Sequence, residues 1–268
     1  MDVTNRAPNG VPHKAIRVFE FGTGSAPVID DALISALHRA LDKALAAPEC
    51  RILLLTSATP GVFNVGMNVA AAGQAGVGVG GEGEDENEAA AARRTGGAYF
   101  DLLERFTLAP LIVAAAVEGR VAGGGVGLVA ACDFVAASEA ATFGLPEALW
   151  GLLPCCVLPF LIRRVGFARA YSMALTTRPV SAPEAVACGL ADEISEHPGT
   201  AIRRLALRAD KIDTATIAAL KAYSQRLWPL PDGVRDLAVD ELGRLMTLPA
   251  VRGRMAAFAN GGRFPWEG

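Results

Sequence analysis

Apolar positions along the chain follow two rhythms, one of strands and one of helices. Residues 15–21 (AIRVFEF) partly alternate and read as a strand, and Ile52 to Leu55 form a short apolar run of buried-strand type. Leu111 to Val117 forms another. Leu33, Leu37, Leu41 and Leu45 recur at every fourth position, which places them on one face of a helix, and Asp30 or Asp31 stands where its N-cap belongs. Continuous apolar strands alternating with helices predict a mainly parallel sheet covered by helices, because parallel strands bury both faces. From Pro198 onward the period is helical and more charged, in AIRRLALRADKI, TATIAALKAYSQRLW and GVRDLAVDELGRLM. No linker precedes these segments. They predict a helical layer over residues 196–268 that belongs to the same domain as a core over residues 1–195.

Residues 70–97 break both rhythms with glycine, alanine and acid. Within this stretch GVGVGG is followed by GEGEDENE, a run that would repel phosphate, and the acids lack the spacing of a calcium loop. A flexible surface insertion is expected here, extended by repulsion among five acids in positions 82–88, with a mobile lid as the alternative.

Bulk composition narrows the partners. Hydrophobic residues make up 51% of 268 positions, charged residues 20%, and the net charge is −3, so there is no electrostatic case for nucleic acid or an anionic membrane. The first residues, MDVTNRAPNGVPHK, have no apolar signal region, and the apolar stretch 149–162 is too short to span a bilayer and carries Pro154 and Pro159. Five cysteines show neither a disulfide framework nor zinc spacing. A cytoplasmic protein is expected.

Chemistry concentrates in three motifs: FNVGMN (63–68), VAGGGVG (121–127) and FGLPEALWG (143–151). The first two follow strands, and two such glycine turns can each aim a backbone N–H at one point. A thioester carbonyl needs such a pair as it becomes an enolate, since charge moves onto its oxygen. Taken alone, GGGVG also fits tight helix packing, and Glu147 also fits an acid favoured at a helix start. His13, His38 and His197 lie in terminal, helical-surface or proline-flanked contexts that do not suit a general base, and Arg163 and Arg164 read as a solvated helix face. Arg120, Arg93 or Arg94 could supply a cation for a substrate carboxylate.

Together, in this order, the three motifs resemble the crotonase (enoyl-CoA hydratase/isomerase) superfamily. The resemblance implies an α/β fold, a crotonase-like spiral of ββα units with a C-terminal helical layer. It also implies an oxyanion hole from the N–H groups of Met67 and Gly124, and a catalytic carboxyl at Glu147. Hydratases of the superfamily carry a second glutamate twenty residues earlier, which here is Gly127, so one-carboxylate chemistry is expected. Asn68 stands where the superfamily usually has Asp. GLLPCCVLPFLIRRVG, TTRPVSAPEA and GRFPWEG further resemble the PksH-like dehydratases of polyketide β-branching, which look like single-glutamate members. That resemblance implies dehydration of 3-hydroxy-3-methylglutaryl on an acyl carrier protein to 3-methylglutaconyl. The acyl group would ride on phosphopantetheine or coenzyme A, with no further cofactor and no metal, in a homotrimer or dimer of trimers. An acyl pocket of Asn68, Leu145, Trp150, Cys155 and Cys156 is expected. The alternatives are a Δ3,Δ2-enoyl thioester isomerase, which also needs one acid/base, and a non-catalytic scaffold of the same fold.

Overall fold

A computed structural model describes residues 14–22, 27–68, 82–262 and 264–266. The apolar runs become strands that repeat one plan: a strand for a large sheet, a strand for a small sheet, then a helix. β1 (Ile16–Phe21) is followed by α1 (Asp31–Leu45). The first repeat is β2 (Ile52–Ser57), β3 (Val62–Asn64) and α2 (Glu82–Leu108). The second is β4 (Ile112–Val117), β5 (Arg120–Ala122) and α3 (Gly124–Ala131), and the third is β6 (Phe134–Ala137), β7 (Thr142–Gly144) and α4 (Glu147–Trp150). After α5 (Leu158–Val165), α6 (Phe167–Thr176), β8 (Val180–Ser181), α7 (Ala182–Ala187) and β9 (Glu193–Ile194) come α8 (Pro198–Ala209), α9 (Thr214–Leu227), α10 (Val234–Met246) and α11 (Pro249–Gly261).

The large sheet runs β1-β2-β4-β6-β9, all parallel; the small one runs β3-β5-β7-β8, parallel except for the antiparallel β7–β8 pair. This is the spiral of ββα units. Alternation along the large sheet explains its uninterrupted apolar strands. Val113, Ala115 and Val117 of β4 face the main core, while Ala114 and Ala116 pack with Ile52, Leu54 and the α8 residues Ala201, Ile202 and Ala206. Both faces are covered, as parallel strands require. Asp30 caps α1 by accepting the Leu33 N–H at 2.7 Å, and Leu33, Leu37 and Leu41 are buried below it. Leu45, at the last position, is 40% exposed, so the predicted face stops one turn early.

Two expectations are corrected. Residues 82–97, expected to be a flexible insertion, are the first half of α2; residues 70–81 of that stretch lie outside the described residues. Acids near a helix N-terminus are stabilised by its dipole, and AAAARR supplies strong helix formers, so the acid run that suggested an extended loop suits a helix start. Ala89 is buried, Glu88 pairs with Arg252 at 3.1 Å, and Arg235 of α10 clasps Asp101 at 2.6 and 3.0 Å. Arg164 is likewise not a solvated residue. Its guanidinium bonds the carbonyls of Leu190 (2.9 Å) and Cys132 (2.8 Å) and the Asp192 carboxylate (2.6 Å), leaving 11% of the side chain exposed; Arg163 beside it is half-buried.

Candidate active site

Asn64 ends β3 fully buried, and its Oδ1 accepts the Gly66 N–H at 2.9 Å. That bond tightens the turn, in which Gly66 takes φ +85°, a left-handed conformation that suits glycine. The segment before α1 holds the turn from the other side: Val65 N–H donates to Pro27 O (3.0 Å), Ile29 N–H donates to Gly66 O (2.7 Å), and Met67 bridges Ile29. Among the described residues the Met67 N–H has no acceptor.

A second turn meets this one. β5 ends at Ala122, the Gly123 N–H donates to Gly144 O at 2.9 Å, and α3 starts at Gly124. The first N–H groups of a helix have no partner within it, so the Gly124 N–H is open to a ligand. A Cβ on Gly66 would stand 2.9 Å from Ala122 O and 3.3 Å from Gly124 N. Bare backbone is what lets the two turns touch.

The third strand end brings the acid. Leu145 is buried, Pro146 precedes α4, and Glu147 is its first residue. A Cβ on Gly123 would lie 3.2 Å from Glu147 Oε1 and 3.6 Å from Gly66 Cα, so the carboxyl lies against both glycine turns. The residue as a whole is half-buried, but Oε2 is sealed from solvent with no hydrogen-bond partner among the described residues. Burial pushes its pKa up to about 7, opposed only by a hydrogen bond from its own backbone N–H. A carboxyl poised near neutrality can accept a proton and return it.

One neighbour was invisible in the sequence motifs. Tyr99, on the inner face of α2, donates its hydroxyl to Gly124 O. A Cβ at Gly127 would sit inside the van der Waals shell of that hydroxyl, with Val157 Cγ2 at 3.1 Å and Leu103 Cδ1 at 3.3 Å. The place of a residue-127 side chain is therefore filled by a phenol from another helix. Tyr99 lies with Phe100, Leu103 and Phe106 on the buried side of α2, and that periodicity could have revealed it had the helix been recognised.

The other expected site residues divide. Asn68 is half-buried directly beyond Met67. Trp150 stacks edge-on against Phe258, Phe264 and Trp266, in an apolar cluster that includes Met67. Cys155 lines a cavity of about 570 Å³ together with Leu158, Ile162, Leu230 and Val234. Cys156 Sγ lies 3.6 Å from Gly96 O. Burial pushes both thiols up to about 12, so they serve as packing groups rather than nucleophiles. Arg93 is engaged by Asp240 at 3.1 Å, and Arg94 and Arg120 are exposed. His38 sits between α1 and α2 beside Arg105 (2.8 Å) and Ala98 O (3.3 Å), His197 caps α8, and His13 lies outside the described residues.

The profile of the enoyl-CoA hydratase/isomerase family matches residues 25–267. The chain belongs to that family. Among relatives of this enoyl-CoA hydratase/isomerase member, the bacillaene synthase dehydratase PksH of Bacillus subtilis is 33% identical over 168 residues, 63% of this chain and 65% of that protein. The mevalonyl-coenzyme A hydratase sidH of Aspergillus fumigatus is 44% identical over 86 residues, 32% of each chain. The aligned parts thus span less than two thirds of these relatives' lengths. A crystal structure of a polyketide biosynthesis enoyl-CoA hydratase (pksH) from Bacillus subtilis superposes with a TM-score of 0.83 at 26% identity, covering 99% of both chains. The family member therefore has the crotonase fold.

Proposed function

We propose that the protein is a hydro-lyase that removes water from 3-hydroxy-3-methylglutaryl carried on an acyl carrier protein, giving 3-methylglutaconyl. The observation that carries this reading is the single sealed carboxyl of Glu147 set against two glycine turns, with no carboxylate at position 127. The thioester oxygen would take the N–H groups of Met67 and Gly124, which acidifies the α-carbon as the enolate forms. Glu147 would remove the α-proton and return it to the hydroxyl leaving the adjacent carbon, a syn elimination that one carboxyl can serve. One relative, named as a dehydratase of bacillaene synthase, supports the loss of water, and the other, named as a mevalonyl-coenzyme A hydratase, supports an acyl group that carries a methyl and a hydroxyl on its β-carbon.

The thioester arm would enter over the Asn68 and Trp150 side, with Leu145 flooring the acyl group. Carrier proteins are acidic, so exposed lysines and arginines would dock them and binding would weaken with salt. Among the described residues no helix is long and apolar enough to cross a membrane. Exposed Leu220, Tyr223, Leu227 and Trp228 on α9 and just beyond it support self-association, and the resemblance to the family makes that a homotrimer or dimer of trimers. Mass spectrometry of the hydroxymethylglutaryl carrier after incubation with the protein tests the reading. Loss of one water is expected; an unchanged acyl mass, with double-bond migration in a 3-enoyl carrier, would replace the dehydratase by the isomerase.

A further inference from the structure

The first turn of α3 has a polar group on each side. Glu147 Oε1 lies over Gly123, and the Tyr99 hydroxyl lies over Gly124 and Gly127, within 3.6 Å of where a Cβ on Gly124 would be. Tyr99 is 5% exposed and walled by Leu103 and Val157; its hydroxyl donates to the carbonyl of Gly124 and lies within reach of the Leu128 backbone N–H. The bond to Gly124 O offsets the cost of burying the hydroxyl and holds its oxygen beside the turn that also carries the Glu147 carboxyl. Burial, then the nearby charges of Cys156 and Glu147, push its pKa up. It therefore stays protonated wherever Glu147 titrates, as a fixed hydrogen-bond donor.

We propose that Tyr99 is a second catalytic group, whose hydroxyl hydrogen-bonds the β-oxygen as it leaves. The inference rests on the dehydratase reading. In the step, Glu147 takes the α-proton and the C–H electron pair forms the new double bond. The β-carbon–oxygen bond breaks with its electrons on oxygen, and the proton returns from Glu147 to release water. Tyr99 keeps its own proton. Rotation about its C–O bond re-aims that proton from Gly124 O to the departing oxygen without moving the ring, and the bond strengthens as charge gathers there.

The test is Tyr99→Phe with the hydroxymethylglutaryl carrier in D2O, following both product and the deuterium content of recovered substrate. Elimination should slow by roughly 10- to 100-fold, the worth of one hydrogen bond to a charged group. Recovered substrate should gain deuterium relative to wild type, because the enolate still forms but returns before the hydroxyl departs. Gly127→Ala, which pushes the hydroxyl aside while keeping it, should act in the same direction and serves if the phenylalanine variant does not fold. Wild-type elimination in both variants would overturn the inference. So would slower elimination without added deuterium, which would mark Tyr99 as a prop for the proton-transfer step. If the wild-type protein releases no water, the dehydratase reading falls and the inference falls with it, an outcome distinct from the other two.

Discussion

A methyl group at position 127 reports directly on the contact between α2 and α3. In Gly127→Ala the new Cβ would overlap the Tyr99 hydroxyl and press on Val157 Cγ2 at 3.1 Å. Overpacking of this kind costs about 1–3 kcal/mol, and alanine returns about 0.5–1 kcal/mol over glycine inside a helix. The net expectation is a loss of about 1–2 kcal/mol. In a Tyr99→Phe background the oxygen is gone, and Val157 and Leu103 need give only slightly, so the same methyl should cost about zero. Tyr99→Phe alone removes the bond to Gly124 O and should cost about 1 kcal/mol. The two substitutions are therefore coupled by about 1–2 kcal/mol, or roughly 3–6 °C in Tm for a chain of this size. Urea and thermal unfolding of the four proteins measure the cycle. Additivity within about 0.3 kcal/mol would refute the contact and, with it, the argument that a phenol fills the place of the missing side chain.

Three further outcomes follow from the same geometry. Glu147→Gln should keep the fold and lower turnover by roughly a hundredfold or more in a dehydration assay, the usual cost of a lost general base. Gly124→Pro deletes an oxyanion donor at a helix position where proline is tolerated, so the rate should fall by roughly 100- to 1000-fold with a smaller change in Tm. Lys221, 8% exposed, pairs with Asp133 at 2.6 Å and donates to Phe106 O at 3.0 Å, so Lys221→Met should cost about 3 kcal/mol in chemical denaturation by stranding the Asp133 charge.

Three strands of the large sheet, β1, β2 and β4, could be read from the chain because nearly all their positions are buried, on both faces of the sheet. Ile52 to Leu55 and Leu111 to Val117 leave no polar position for solvent, and both became central parallel strands. The small sheet could not. Val62–Asn64, Arg120–Ala122 and Thr142–Gly144 are three residues each, too short for any period, and they carry the three motifs at their ends. α2 was hidden for the opposite reason: its first half is so acidic that no apolar stripe shows, although its second half, Tyr99 to Phe106, packs into the core. Helix formation there depends on tertiary contacts, such as Arg235 with Asp101, whose partners lie 134 residues apart.

The same distinction governs the site. Gly66, Gly124 and Glu147 could be found because each depends on its own turn, and a turn is a local property of sequence. Tyr99 depends on where one helix passes another; the local period of Tyr99, Leu103 and Phe106 marks a buried face but not the glycine that face meets. The pH dependence of stability joins the two kinds of information. Glu147 has a pKa of about 7 when folded and 4.5 ordinarily, a shift that arises from burial by residues remote in sequence. The folded chain holds that proton more tightly than the unfolded one. The contribution of this group to stability is therefore greatest below pH 4.5, falls as pH rises from about 4.5 to about 7, and levels above that, by up to about 3 kcal/mol. Dehydration should run the other way, rising with the ionised carboxylate through the same region. Subtracting the urea-unfolding profile of Glu147→Gln from that of wild type isolates the group. A difference that is flat across this window, or that rises with pH, would mean the carboxyl is solvated, and the single-base reading of the site would lose its physical footing.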